Sequence, residues 1–334
     1  MSVLVESAGP VVSVQDGGRR GALGLGLSRG GAADREGWLA GVALLEQGEQ
    51  AAAIEMAGIG GRFQFECDMR IALTGALMRT RLNNVPLEWN AAHVVPAGGV
   101  LDIGVAEQGT YGYLALAGGI DTKVELGGRG FHKIAGLGRA VEAGDRLRVL
   151  PDAGLEKGPQ RLMPRPAPNG PIRVMPGPQT DLFASETRRL FETLTFQRSP
   201  KANRQGARLD YDGPAFSTEA QLNQVSDFIS EGDIQMTGGG TPFVLLADCQ
   251  SMGGYPRIGT VLPSDLSRVA QAGIGERLSF RFVTCEEAEA AWESDADILA
   301  RLRKRCGPAV RDPREIADLL SYELVSRPVG DVTG

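Results

Sequence analysis

Histidine is nearly missing from this chain: two residues in 334, His93 and His132. That excludes a histidine-rich metal centre, and it leaves a Ser-His-Asp triad only those two positions to use. His93 sits in NAAHVVPAGG, which reads as a strand edge, and His132 in the glycine-rich GGRGFHKIAGLG. Cysteine is as sparse. Cys67, Cys249, Cys285 and Cys306 lie far apart with no CxxC spacing, which fits reduced thiols and excludes a disulfide frame or a zinc ribbon. No Gly-Lys-Ser/Thr occurs, so there is no Walker A loop. No apolar run approaches the ~20 residues of a membrane span, and the N-terminal MSVLVESAGPVVSVQD has no basic stretch leading into an apolar one. The expectation is a cytoplasmic protein with no membrane contact. Nor is there a basic excess: 35 Lys and Arg stand against 41 Asp and Glu. The net charge of −6 speaks against a nucleic-acid partner. The basic run ARLRKRC at 300–306 reads as a helix end, where cations suit the helix dipole.

What is present is glycine, 46 residues of it, between short β-branched segments. FQFECDMRIALTG, HVVPAGGVLDIGV, TYGYLALAGG and RLRVLP alternate with turn residues, and the same grain returns in PIRVMPG, LTFQRSP, DIQMTGGGTPFVLLADC, IGTVLP and RLSFRFV. This spacing is that of β-barrels or sandwiches. Between the two series lies PQRLMPRPAPNGP, whose five prolines read as a linker at 159–171. The expected plan is a mainly β protein: a first barrel over 1–158, the linker, a second barrel over 172–284, and a helical tail over 285–334. The halves echo each other. Gly109-Thr-Tyr and Gly240-Thr-Pro are 131 residues apart, and so are Gly144-Asp-Arg-Leu and Gly275-Glu-Arg-Leu, which favours a duplicated barrel. Helices are expected over Asp34–Gln47, with Trp38, Leu39, Val42 and Leu45 on one face, over Phe183–Leu194, and from a Ser264-Asp265 cap. Thr284…Glu287 and Asp312…Glu315 have capping-box spacing, the latter ahead of an Ile316, Leu319, Leu320, Leu324 stripe.

Two stretches carry chemistry. Gln15-Asp-Gly-Gly-Arg-Arg-Gly21 can be an anion nest closed by an arginine, or a tight turn in which Asp16 bonds its own backbone. The run from Leu245 to Leu266 breaks an apolar strand with Asp248, Gln250, two glycines, Tyr255 and Arg257. Either Asp248 pairs with Arg257 inside a hairpin, or a strand ends at a rim and turns these polar groups toward a ligand.

Resemblance favours the rim. LADCQSMGGYPRIGTVLPSDL is similar to a signature of the allophanate hydrolase subunit 2 family, also called biotin-dependent carboxyltransferase-like, which includes the C component of 5-oxoprolinase. SVQDGGRRG (13–21), GGAAD (30–34), ALTGA (72–76), LALAGGID (114–121), AGDRL (143–147), VMPGPQTDLF (174–183) and GDIQM (232–236) follow in family order, so the likeness runs over residues 3–283. It implies cyclophilin-like β-barrels and a subunit of an ATP-dependent hydrolase of amides or lactams. Such a subunit is active only with a partner resembling allophanate hydrolase subunit 1, in a hetero-oligomer. It implies ATP and Mg²⁺ shared with or held by that partner. Asp248, Gln250, Tyr255 and Arg257 become the catalytic candidates. Gln15, Asp16, Arg19, Arg129 and His132 become the substrate- and phosphate-binding ones, with no resident metal centre. In that scheme Arg19, Arg257 and Arg129 neutralise phosphate, Asp16 or Asp248 holds Mg²⁺ or acts as base, and Gln15, Gln250 and Tyr255 orient the amide. The alternatives are a carboxyltransferase half acting on urea-like substrates, with biotin on another protein because no Met-Lys-Met site is present, and a non-catalytic regulator of a sister subunit. The chain departs from the family pattern at Ala40-Gly41, Glu46–Gly48, Leu77, Gly128–His132, Ala202–Leu209, Glu231 and Thr237. Several of these lie in loops, where substrate choice is set.

Overall fold

The structure, a computed structural model, describes residues 1–152, 154, 157–166, 168–216, 218 and 225–309. It is mainly β, built on two curved sheets. In the first, neighbouring strands run in the order Cys306–Pro308, Gln160–Leu162, Ala91–Val95, Met69–Leu82, Val100–Leu116, Ile59–Phe65, Ser2–Ala8 and Arg146–Arg148. Val12–Gln15, Ala53–Ala57 and Val85–Pro86 pair off this path. The second runs Arg277–Leu278, Phe196–Asn203, Gly206–Asp210, Pro242–Leu245, Asp233–Met236, Arg257–Val261, Ile172–Met175 and Phe280–Phe282. A two-stranded ribbon pairs Asp227–Phe228 with Met252–Gly253.

The strand Val100–Leu116 is the spine of the first sheet, because it pairs with three others. Its alternation divides the molecule. Leu101, Ile103, Leu114 and Leu116 enter a core closed within the first sheet, with Phe63, Phe65, Ile71 and Leu73. Tyr111, Tyr113 and Ala115 point the other way, into a larger core shared with the second sheet, where Phe191, Phe196, Phe216 and Phe280 cluster. Against the first sheet, on Met69–Leu82 and Val100–Leu116, lies α1 (Arg35–Leu44), capped by Asp34, whose carboxylate accepts from the Gly37 N–H at 3.0 Å. The sequence predicts one apolar face for this helix; every residue from Gly37 to Leu44 is buried, because α5 covers its far side. The other helices are α2 (Ser185–Thr193), α3 (Pro263–Gln271), α4 (Cys285–Ala290) and α5 (Asp295–Arg303). The Thr284–Glu287 capping box is formed at α4. The expected cap at Ser264-Asp265 is replaced by a start at Pro263, where the fixed φ of proline suits the first helical turn.

The proline-rich segment is more than a tether. Gln160–Leu162, lying between Pro159 and Pro164, has free amides and pairs with Ala91-Ala92 on one side and Cys306–Pro308 on the other. The segment after residue 284 is thus helical only in part, since a strand returns it to the first sheet. The Asp312 capping box and the stripe from Ile316 to Leu324 lie outside the described residues. Gly144 and Gly275, one pair of the 131-residue echo, each lead into an edge strand of their own sheet. Among the described residues no helix is long and apolar enough to cross a membrane.

Candidate functional site

The polar residues singled out in the sequence separate into three places, with the Arg129 side chain apart from all of them. The first is a buried ionic hub where the N-terminal loops meet the second sheet. Arg204 donates Nε to Asp248 Oδ2 (2.8 Å) and Nη2 to Asp248 Oδ1 (2.9 Å) and to the Gly31 carbonyl (2.6 Å), while its Nη1 reaches Glu55. Glu55 Oε2 accepts from the Tyr113 hydroxyl (2.7 Å) and the Ala33 N–H (2.8 Å). Asp248 therefore pairs with Arg204 rather than with Arg257, and its carboxylate is enclosed. His132 is buried beside the hub, with Nε2 2.9 Å from Ser28 Oγ and Nδ1 accepting from the Ala135 N–H at 3.3 Å. Burial pushes its pKa down, so the ring is neutral at pH 7. Arg19 is fully buried: its Nε and Nη2 donate to the carbonyls of Glu125 and Gly130, at 2.9 and 2.8 Å. Asp16 accepts from the Gly18 N–H (2.9 Å) and the Arg129 N–H (2.6 Å), so the tight-turn form is the one adopted. Gln15 donates to Ser13 Oγ and the Phe131 carbonyl, both at 3.0 Å. These groups lock the loops at 15–33 and 125–138 together. Asp16 and Asp248 have their oxygens engaged and are buried, so neither is placed to take Mg²⁺ or to act as a base. Among the described residues no group of three or more His, Cys, Asp or Glu side chains is positioned to hold a metal ion.

The second place is Arg257, bound to the Gln179 side chain, the Phe228 carbonyl, Asp227 and Asp233. It pins the ribbon to the second sheet. Arg129 is elsewhere again, at the edge of a depression of about 490 Å³ whose charges are matched internally, Arg70 by Asp152 and Lys157 by Glu46.

The third place is an open cleft of about 240 Å³ that holds Gln250 and Tyr255. Its wall is the outer face of the second sheet. In Asp233–Met236 the apolar Ile234 and Met236 enter the shared core, so the pleat sends Gln235 to the opposite face. Ile229, Phe243 and Leu245 give an apolar floor, and Lys201, Asn203, Gln205, Gln250 and Tyr255 a polar rim. Gln235 is only 8% exposed, and its amide nitrogen has no hydrogen-bond partner among the described residues. An amide so placed is costly unless a ligand or water meets it. Gly253 leaves it room: a Cβ there would lie 2.9 Å from Gln235 Nε2. Four of the residues that matter here, Arg204, Glu55, Gln235 and Lys201, were not singled out as site residues from the sequence. Gln235 had a signal, a lone amide between two apolar residues of a strand.

This arrangement can bind a small polar molecule with an apolar body. Comparison with known proteins bears on which. Residues 25–282 match the family model described as carboxyltransferase domain, subdomain A and B. The chain is 29% identical to the C component of 5-oxoprolinase from Haemophilus influenzae, over 87% of this chain and 94% of that one. It is 31% identical to the corresponding 5-oxoprolinase component of Escherichia coli, over 84% and 91%. The crystal structure of the Kluyveromyces lactis urea carboxylase shares its fold, with a TM-score of 0.80 at 23% identity, over 93% of this chain and 31% of that one.

Proposed function

The chain belongs to the carboxyltransferase domain family, and from that premise we propose that it is the amide-binding subunit of an ATP-dependent hydrolase of lactams or amides, of the 5-oxoprolinase kind. Its near full-length likeness to the C components of two 5-oxoprolinases supports the choice of system. The observation that carries the choice of site is the unpartnered Gln235 amide in the cleft. Gln235 Nε2–H is free to donate to a substrate carbonyl. The side-chain carbonyls of Gln205 and Gln250 accept from a substrate N–H, Lys201 balances a substrate carboxylate, and Ile229, Phe243 and Leu245 receive ring methylenes. Holding the carbonyl and N–H in fixed directions is what an unreactive amide needs before its oxygen can be activated. Asp16 and Asp248 of the buried hub do not fit Mg²⁺, since their carboxylate oxygens are engaged internally, and the Arg204 guanidinium is taken up by Asp248 and Glu55. In this proposal the nucleotide belongs to the partner chain, one resembling allophanate hydrolase subunit 1.

The test is ATP turnover by the chain mixed with such a partner, across 5-oxoproline, other lactams, linear amides and urea. We expect 5-oxoproline or a close lactam to drive turnover, the chain alone to be nearly inactive, and Gln235→Leu to lower kcat/KM at least tenfold with its melting temperature unchanged. Turnover driven by urea, or dependent on a biotinylated protein, would move the assignment to carboxyl transfer. Association without turnover on any substrate would make the chain a regulator.

A further inference from the structure

Two basic stretches of the sequence take no part in the amide cleft: QRLMPR at 160–165, inside the proline-rich segment, and RLRKR at 301–305. The fold brings them together. Strand Gln160–Leu162 is paired on both sides, which sets Arg161 opposite Ala91 in one neighbour and Gly307 in the other. The Met163 N–H donates to the Arg305 carbonyl (2.8 Å), and Arg305 Nη2 donates back to the Met163 carbonyl (2.7 Å). Asn90, left-handed at φ 57°, turns a third segment against these two, and its carbonyl accepts from the Leu162 N–H (2.8 Å). The result is an open depression of about 550 Å³, lined by Arg161, Arg165 and Arg305 against a single carboxylate, Glu88. The lining is therefore in positive excess, in a chain whose net charge is −6. Of the three arginines only Arg165 has an ion pair, to Glu36 at 2.8 Å, and Glu36 is shared with Arg301. Arg161 and Arg305 have no carboxylate within ion-pair distance among the described residues, and the buried Nε of Arg161 has no hydrogen-bond partner. Burial lowers the Arg305 pKa, and the Arg165 and Arg301 charges add to this against Glu36. Trp89, Met163 and Pro164 form an apolar side of the same depression.

We infer that this depression binds a phosphate group, either the free ion or the end of a small phosphate monoester. Three guanidinium groups gathered from two segments repel one another, and an anion between them relieves that repulsion. A phosphate group carries about −1.5 to −2 charge at pH 7, which matches the excess of three arginines over one glutamate; a carboxylate supplies only half of it. Its oxygens also accept from guanidinium forks in pairs, which an ammonium cannot offer. The depression lies within the range of roughly 300–1,000 Å³ common for small-molecule sites, and its apolar side gives the body of a monoester a surface to lie on. No residue of its lining belongs to the amide cleft, so the site does not rest on the amide-hydrolase reading and holds or fails independently of it.

The experiment is isothermal titration calorimetry of the whole chain with inorganic phosphate, phenyl phosphate and acetate at constant ionic strength. We expect saturable phosphate binding, with acetate about tenfold weaker or more. Arg161→Gln and Arg305→Gln should each weaken phosphate by about tenfold or more, the worth of one charge-assisted hydrogen bond. Lys201→Gln, at the amide cleft, should leave phosphate binding unchanged. Arg161 has no side-chain partner to lose, so its variant should melt with the wild type. It carries the test if Arg305→Gln, which gives up the Met163 contact, fails to fold. Phenyl phosphate binding more tightly than phosphate identifies a monoester as the ligand, and equal or weaker binding identifies the free ion. Phosphate binding unchanged in Arg161→Gln, loss of binding in Lys201→Gln, acetate as tight as phosphate, or no binding of either phosphate compound at millimolar concentration, each overturns the site.

Discussion

Asp248 stands in the most chemistry-rich run of the sequence and yet works inside the protein. Its two oxygens grip Arg204, and removing one partner of a buried pair leaves the other desolvated and alone, at a cost of about 3–5 kcal/mol. Asp248→Ala should therefore lower the melting temperature by several degrees, whereas Gln250→Ala and Tyr255→Ala, on the cleft rim, should leave it unchanged and lower affinity for the amide. Calorimetry on the three variants separates the roles. His132 gives a second prediction, in pH. Burial holds its folded pKa below the ordinary 6.5, with the Asp248 charge opposing this and the Arg19 and Arg204 charges adding to it. The unfolded state thus takes up the proton first, so this contribution to stability is complete above about pH 6.5 and is lost as pH falls toward the lower folded pKa. His132→Gln should show a shallower fall in melting temperature between pH 7 and 5 than the wild type. The residue types of the site were legible in the sequence; their grouping was not. Asp248, Gln250, Tyr255 and Arg257 lie within ten positions, but the turn, loop and strand they occupy send them to three different neighbourhoods. The partner that decides the role of Asp248, Arg204, is 44 residues away.

At the scale of elements, local signals served where the backbone chemistry is local. The Thr284–Glu287 box and the Asp34 cap are where the residue types require them. The Ser294–Asp297 box of α5 was missed because aspartate does the work usually given to glutamate at that position. Strand Gln160–Leu162 was missed because its prolines are the louder signal. What α5 does is tertiary. Asp295, at its first turn, is the shared counter-ion of Arg20 and Arg35, and Arg301 bridges Glu293 and Glu36. Through them α5 is fastened to α1 and to the loop of residues 17–33. Loss of the cap hydroxyl in Ser294→Ala should cost about 1 kcal/mol. Asp295→Ala should cost more, about 1–3 kcal/mol, short of a fully buried pair because Arg20 is largely exposed. Urea melts of the two variants check the ranking. Equal losses would mean that the ion pairs add nothing beyond the helix cap.

For the whole molecule, strand spacing foretold two β units, but two apolar series cannot tell whether each closes on itself or shares a core. The structure answers through the pleat of Val100–Leu116, which sends Leu114 and Leu116 inward and Tyr111, Tyr113 and Ala115 across to the second sheet. Trp38, Leu39 and Val42 of α1 belong to the same cluster as Phe191, Phe196 and Phe280. Each fully buried side chain of this kind contributes about 1.5–3 kcal/mol, so separating the sheets would expose a large share of the apolar side chains that hold the fold. The prediction is a single cooperative transition. Tryptophan fluorescence reports on the first sheet and, through Trp38, on the shared core, since Trp38, Trp89 and Trp292 all lie outside residues 172–284. Cys249 reports on the second sheet: it is buried, and desolvation pushes its thiol up to about 12, so alkylation waits for unfolding. Peptide-resolved labelling of Cys249 and the fluorescence change should share one urea midpoint. Labelling of Cys249 at clearly lower urea than the fluorescence change would show that the second sheet opens by itself, and the shared core would then not be what holds the two together.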